Sequence, residues 1–416
     1  MLVNNNEKIN LSDLYIFIFI FGLTLYLIDF YGNVGYYIFI IIAFGSFLFL
    51  PFIIINKLIT INLFILTGFG ISFSIIMINN DYISLIYVPA YILLPSISLI
   101  MGFLIGERKD SVKLTTKIIL FIMISLTLFI LLSYLRTLNA YGTLDSASRA
   151  LDGRAIANFW NIKIRIKATA MTLKLVLGLS LIPLVFASFK YEKKRYIILV
   201  KLLITISFIV SIMIALQMGS RTSIIVSIFS FLVFYLIFEK LSIKKLTRMI
   251  SGCFLLVIVW LLYKFNFLNF EQWWKSTPVY SRFESSGIES GRTLAWEIAL
   301  KNFFEHPLGG KKIPLNLNYA HNIWLDVLYD TGWITTLLLI LFTFINIYVL
   351  YLFFISDYSS TLKGFILLSF LGLYLLFMSE PILSGSERSF FVFYCFLYGI
   401  VLGLIIKSKK KRIDSR

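Results

Sequence analysis

Runs of 18 or more apolar residues recur along almost the whole chain, and each is long enough to cross a bilayer as a helix. Of 416 residues, 59% are hydrophobic and 14% charged, and a soluble fold of this length cannot hide that much apolar side chain. The runs are apolar on every face, whereas barrel strands would alternate over about ten residues. The expected fold is therefore all-α: a polytopic integral membrane protein.

Hydropathy predicts about twelve spans, at 14–30, 35–55, 58–78, 83–105, 116–135, 169–189, 196–217, 222–238, 249–265, 333–354, 364–378 and 389–406. The first run is long enough to span and lacks a small-residue cleavage site, so it reads as a signal anchor. No Gly/Ser- or Pro-rich linker divides the chain, which is expected to form one membrane domain over 1–416. Cys253 and Cys395 both fall inside apolar runs and read as small buried hydrophobes.

The formal charge is +17. Part of it is topology. Lys57, the 108–117 cluster, the 190–195 cluster, the 240–248 cluster and the tail from Lys407 fall on one side, which the positive-inside rule makes cytoplasmic. Both termini are then expected on that side, as an even span count requires. Two long loops, 136–168 and 264–332, face the other way.

The outward side holds Arg136, Arg149, Arg154, Arg165, Arg221, Arg282, Arg292 and Arg388, eight of the thirteen arginines. Topology does not ask for arginine there. Its planar fork suits phosphate and carboxylate, so one reading is an anion handled at the outer face. The other is pairing with Asp145, Asp152, Glu284 and Glu289, or with lipid headgroups. Arg154, Arg165 and Lys167 approach the span at 169, with Lys174 about a turn inside it. Arg221 sits in Gly219-Ser220-Arg221-Thr222 at the outer start of a span, a depth at which arginine is costly unless paired or facing a wet cavity. Glu380, Glu387 and Arg388 close the last outer loop. Glu380 is placed to orient a histidine or an arginine, or to pair with Arg388.

The loop 264–332 is the main polar excursion and holds both histidines. Residues 291–305 read as a helix with Arg292, Trp296, Ala299 and Phe303 along one face. His306 falls at its C-terminus, where Pro307 ends the helix and Gly309-Gly310 permit a turn, so His306 reads as structural. Asn322 suits an N-cap before a short amphipathic helix carrying Ile323, Trp324, Val327 and Leu328, which Thr331-Gly332 turns into the next span. His321 thus lies at a helix start, a place that attracts anions, where an imidazole can act as general base near pH 7. A histidine merely hydrogen-bonded in a loop is the other reading.

Two histidines and two buried cysteines make no metal site. No Walker or Gly-rich nucleotide loop is present, so no cofactor is expected. The partners expected are the lipid bilayer and its lipids, with no nucleic acid.

Arg292-Thr293-Leu294-Ala295-Trp296, His306-Pro307-Leu308-Gly309, His321-Asn322-Ile323-Trp324-Leu325 and Thr331-Gly332-Trp333, in this order, resemble the signature region of the O-antigen polymerase and ligase superfamily. Gly219-Ser220-Arg221-Thr222 is similar to its earlier Ser-Arg motif. Gly310-Lys311 departs from the pattern, in which many members place a second Gly one residue later. The resemblance implies metal-independent, inverting transfer of glycan from undecaprenyl pyrophosphate at the periplasmic face of the bacterial inner membrane. His321 maps onto the family's base, and Arg221, with Arg154 or Arg165 by position, onto diphosphate-contacting arginines. Arg292, Lys167, Asn322, Trp324, Glu380 and Arg388 complete the expected substrate-binding set. A polymerase is expected, with a long first outer loop suited to a second substrate and with a chain-length regulator as a possible partner. A ligase acting on lipid A core is the nearest alternative. A lipid-linked glycan flippase fits less well, because the spans are nearly free of charge.

Overall fold

The computed structural model describes residues 11–46, 57–151, 153–187, 194–238, 272, 275, 277–286, 291–383 and 387–414. The expected span at 249–265, Cys253 and most of the segment 264–290 lie outside the described residues.

The elements follow the hydropathy pattern closely. In order they are α1 (Leu11–Leu27), α2 (Val34–Gly45), α3 (Lys57–Asn79), a 3-10 turn at Leu85–Tyr87, α4 (Val88–Tyr91), α5 (Leu93–Glu107) and α6 (Ser111–Tyr141). Then come α7 (Leu144–Ala150), β1 (Ala155–Ala157), β2 (Arg165–Lys167), α8 (Ala168–Ser180) with a 3-10 extension at Ile182–Phe186, α9 (Lys194–Gln217) and α10 (Arg221–Phe238). The last are α11 (Pro278–Ser286), α12 (Arg292–Glu305), α13 (Ile323–Phe354), α14 (Ser360–Phe377) and α15 (Arg388–Asp414). Among the described residues, eight helices are long and apolar enough to cross a membrane, and three shorter apolar ones lie at Asp13–Leu27, Val34–Gly45 and Arg221–Ile237. The chain is thus mainly helical, as expected. One addition is the antiparallel β1–β2 hairpin in the first long outer loop, with Ile156 opposite Ile166.

Two helices form the interior. The apolar window of α15 is wholly buried and that of α8 nearly so. α15 lies against α5 through two pairs of small residues, Gly102/Gly106 and Gly399/Gly403. A Cβ on Gly102 would meet the Phe396 carbonyl oxygen at 2.0 Å, and one on Gly399 the Leu99 oxygen at 2.1 Å. Lipid is as apolar as the helices, so such backbone contact, with van der Waals packing over it, is what holds membrane helices together. Polar side chains add local ties: Tyr398 donates to Asn62 Oδ1 at 2.9 Å, and Ser72 and Thr335 share a hydrogen bond of 2.6 Å between α3 and α13. The outer faces carry exposed Phe64, Ile41, Leu236 and Phe344, the surface that hydrocarbon would cover.

Charge separates to the two ends. At one end Arg108 meets Asp13 at 2.6 Å, Lys407 donates to the Lys109 carbonyl and Lys410 meets Glu107 at 2.7 Å. The residues expected to carry chemistry gather at the other end.

Candidate active site

The region is built on a backbone lock between two turns. α12 ends at His306, whose side chain is exposed and whose N–H donates to the Asn302 carbonyl at 2.7 Å. The turn that follows presses on a break in α13 at Gly332 (φ 75°, ψ −166°). Trp333 donates to the Pro307 carbonyl, and Gly310 to that of Asp330. A Cβ on Gly332 would sit 2.3 Å from the Pro307 oxygen, and one on Gly309 2.5 Å from the Gly332 nitrogen. The His-Pro-Leu-Gly and Thr-Gly-Trp motifs are therefore two halves of one joint, and glycine is required in both.

That joint presents the loop before α13. Asn322 caps the helix, its side-chain oxygen accepting from Trp324 and Leu325 N–H. Asp326, one turn into the helix, reaches back: Oδ1 accepts from Ala320 N–H at 2.7 Å and Oδ2 from Asn322 N–H at 3.3 Å. The indole of Trp296 on α12 donates to the Ala320 carbonyl at 2.8 Å. Between these anchors His321 takes a left-handed backbone (φ 56°), which costs free energy for a residue of this kind.

His321 faces Glu380, from the end of α14, with Nδ1 and Oε2 3.7 Å apart. This is ion-pair distance, longer than a hydrogen bond, and neither atom has a hydrogen-bond partner. The other carboxylate oxygen, Oε1, lies 3.7 Å from the Arg292 guanidinium and accepts from Thr222 Oγ at 3.4 Å. Thr222 follows Arg221 at the start of α10. That start is set by Gly219 (φ 67°) and by Ser220, which hydrogen-bonds Thr172 of α8 at 2.9 Å and Ser223 at 2.8 Å. The Ser-Arg motif thus uses its serine to dock α10 and so presents its arginine.

Arg154, just before β1, reaches over this turn and donates to the Met218 and Gly219 carbonyls at 3.4 and 3.3 Å. Although the residue as a whole is exposed, partial desolvation of its guanidinium lowers its pKa. The Glu380 carboxylate opposes that, and the charges of Arg221 and Arg292 reinforce it. The guanidiniums of Arg154, Arg221 and Arg292, from separate elements, thus lie close enough for their charges to act on one another, and those of Arg154 and Arg292 also feel the buried Glu380.

The remaining expected residues lie elsewhere or do other work. Arg165 and Lys167 stand on the exposed face of β2, where Arg165 donates to the Leu151 carbonyl. Lys174 is buried and paired with Asp29 at 3.0 Å, so it is committed inside the protein. Trp324 is half-buried: its indole donates to Thr343 at 3.1 Å and its ring packs against the core. Asn322 acts through its cap. Arg388 does not pair with Glu380. It is buried among tyrosines, 4.0 Å from the Tyr87 ring centroid. Among the described residues no group of three or more His, Cys, Asp or Glu side chains could hold a metal ion. Sequence reasoning missed Asp326, although an acidic residue in the first turn after an Asn cap is a recognisable sign of a reach-back contact.

No curated protein matches the chain. Residues 206–340 match the model of the family described as O-antigen ligase; they take in Arg221, Arg292 and His321, and they bear out the resemblance of this chain to the O-antigen polymerase and ligase superfamily.

Proposed function

We propose that the chain is a polysaccharide polymerase of the O-antigen or capsule type, acting at the outer face of the bacterial cytoplasmic membrane on glycans carried by a polyprenyl diphosphate, undecaprenyl pyrophosphate by the resemblance. The observation that carries the reading is the Glu380 carboxylate, with His321 on one oxygen and Arg292 and Thr222 on the other. Glu380 orients Nδ1 of His321, which leaves Nε2 to accept the proton of an acceptor sugar hydroxyl. The hydroxyl oxygen attacks the anomeric carbon of the donor, the bond to the diphosphate breaks, and the anomeric configuration inverts. Arg154, Arg221 and Arg292 stabilise the charge that develops on the departing lipid diphosphate. The 3.7 Å gap between His321 and Glu380 closes into a hydrogen bond when substrate fills the site, as is common between empty and loaded active sites.

The second reading is the ligase, which the description of the matching family favours. It shares these residues and steps and differs in its acceptor, lipid A core. The test is a purified-protein assay in nanodiscs, without nucleotide and with a chelator, on a lipid-diphosphate-linked repeat unit offered alone and then with lipid A core. A ladder from the repeat unit alone is the expected result. Transfer only in the presence of lipid A core establishes the ligase. No product with either acceptor, while labelled substrate crosses a proteoliposome bilayer, sinks both.

A further inference from the structure

Lys311 takes a left-handed backbone (φ 51°), a conformation that favours glycine, and its side chain is held on two sides. Nζ lies 3.3 Å from Asp330 Oδ1 and 4.4 Å from the centre of the Tyr82 ring. The Lys311 N–H donates to the Tyr329 carbonyl at 3.3 Å. Tyr82, which follows α3, donates in turn to the Gly310 carbonyl at 3.1 Å. The turn at Lys311 is thereby tied both to α13 and to the end of α3.

Asp330 lies one helical turn beyond Asp326, so two buried carboxylates share a face of α13. Both precede the Gly332 break, ahead of the span expected at 333–354, and both line a cavity of about 320 Å³ beside the His321 loop. Like charges at this spacing repel. Among the described residues, no cation other than Lys311 lies at ion-pair distance from either aspartate. Arg388 also borders the cavity, but it is held by Tyr26 and Tyr91 and by the Tyr87 ring. The other ionisable groups in the wall are Tyr82, Tyr87, Tyr91 and Tyr319. Asp326 is the carboxylate with work to do: its two oxygens take the N–H groups of Ala320 and Asn322. It does so best when ionised, because a charged acceptor makes the stronger bond. Burial and the charge of Asp330 push its carboxyl up, while those two N–H groups and the charge of Lys311 pull it down.

We infer that Lys311 is a positioning residue for His321. By offsetting the charge of Asp330 it lets Asp326 stay ionised, and ionised Asp326 holds the loop in which His321 keeps its left-handed backbone (φ 56°). The inference rests on the transferase reading only for what His321 then does; the state of the loop can be measured without turnover. A plain brace would suffer alike from the loss of either partner of the Lys311–Asp330 pair. An electrostatic support responds with opposite signs. Removing Lys311 makes Asp326 harder to ionise, and removing the charge of Asp330 makes it easier.

The test uses the full-length protein in nanodiscs, labelled with 15N-histidine. Its two histidines give two backbone amide signals, and His306→Gln identifies that of His321, whose pH titration follows the loop. Lys311→Met is expected to move the midpoint up by about half a pH unit or more, and Asp330→Asn to move it down. The double substitution returns the midpoint close to that of the parent, and Lys311→Arg leaves it there. In an Asp326→Asn background neither substitution moves the midpoint, which separates Asp326 from the titration of the imidazole itself. The acid limb of kcat/KM should move with the amide midpoint in every variant. Shifts of the same sign at positions 311 and 330, shifts that persist without the Asp326 carboxyl, or a rate profile that does not follow the midpoint overturn the inference. Should Lys311→Met fail to fold, Asp330→Asn with and without Asp326→Asn decides the matter. Midpoints that shift as expected in a protein that forms no product defeat only the transferase reading.

Discussion

Glu380 and His321 meet at 3.7 Å from the ends of two different helices, and the same carboxylate carries Arg292 on its other oxygen. One side chain therefore ties the candidate base to the candidate anion site. His321→Ala is expected to lower the rate of polymer formation by about 10²–10⁴-fold, with unchanged protein levels in the membrane. Glu380→Gln should lower it by at least about tenfold, and adding it to His321→Ala should cost little more, because residues that act as a unit are not additive. Single-turnover rates of the four proteins check this. Full additivity would mean that the two side chains act separately.

Arg154 donates to the α10 entry turn and senses Glu380, Arg221 and Arg292 at once. Its replacement by alanine is expected to lower kcat by about 10²-fold, the scale for losing one group that stabilises a developing oxyanion. Arg154→Lys keeps the charge but not the fork, so it should restore only part of the rate. Arg165→Ala, on the exposed face of the hairpin, should leave kcat within about twofold of the parent, the usual latitude of a surface site. Equal losses at positions 154 and 165 would move the anion site onto the hairpin.

Asp326 accepts from the N–H groups of both residues that flank His321, Ala320 and Asn322. Asp326→Ala leaves two N–H groups unsatisfied and should cost about 1–3 kcal/mol for each that stays buried. The same change frees the left-handed backbone of His321, so kcat should fall at temperatures where the protein is still folded. Thermal melts run beside rates at low temperature separate the two effects. A lower melting temperature with an unchanged rate would show that the loop holds its shape without Asp326.

Much of this was legible in the sequence, and the boundary is physical. The spans, the α12 helix with its stop at Pro307, and the Asn322 cap come from local rules, since apolar length, proline geometry and cap chemistry act over a few residues. The joining of Glu380 to His321, and of Lys174 to Asp29, depends on which helices pack together, and hydropathy is blind to that when every helix is apolar all round. The pairing of α5 with α15 did leave a trace, in the matched Gly102/Gly106 and Gly399/Gly403 spacings, but among 23 glycines that trace gains meaning only once the helices are seen side by side.

The glycine contact gives a stability prediction. Gly399→Val drives side chain into the Leu99 carbonyl and should cost at least the roughly 1–3 kcal/mol typical of overpacking, seen as a lower melting temperature in detergent and a lower yield. Gly68→Ala is the control, since its Cβ would touch only a Leu338 methyl at 3.8 Å. Equal losses at both positions would show that helix propensity, and not backbone contact, sets the cost.

Glu387, immediately before α15, gives the pH dependence. Burial pushes its carboxyl up from 4.5 to about 6; its own backbone N–H and the charges of Lys174 and Lys167 pull the other way, and Asp29 adds to the rise. An acid whose folded pKa is raised is destabilising when ionised. The penalty is absent below pH 4.5, grows between 4.5 and about 6, and is complete above that, where a rise of this size amounts to about 2 kcal/mol. Glu387→Gln removes the titration. The variant should therefore melt higher than the parent at pH 7.5, and the gap should close as the pH falls toward 4.5. A gap that stays constant across this range would place the stabilisation in packing, not in the charge of Glu387.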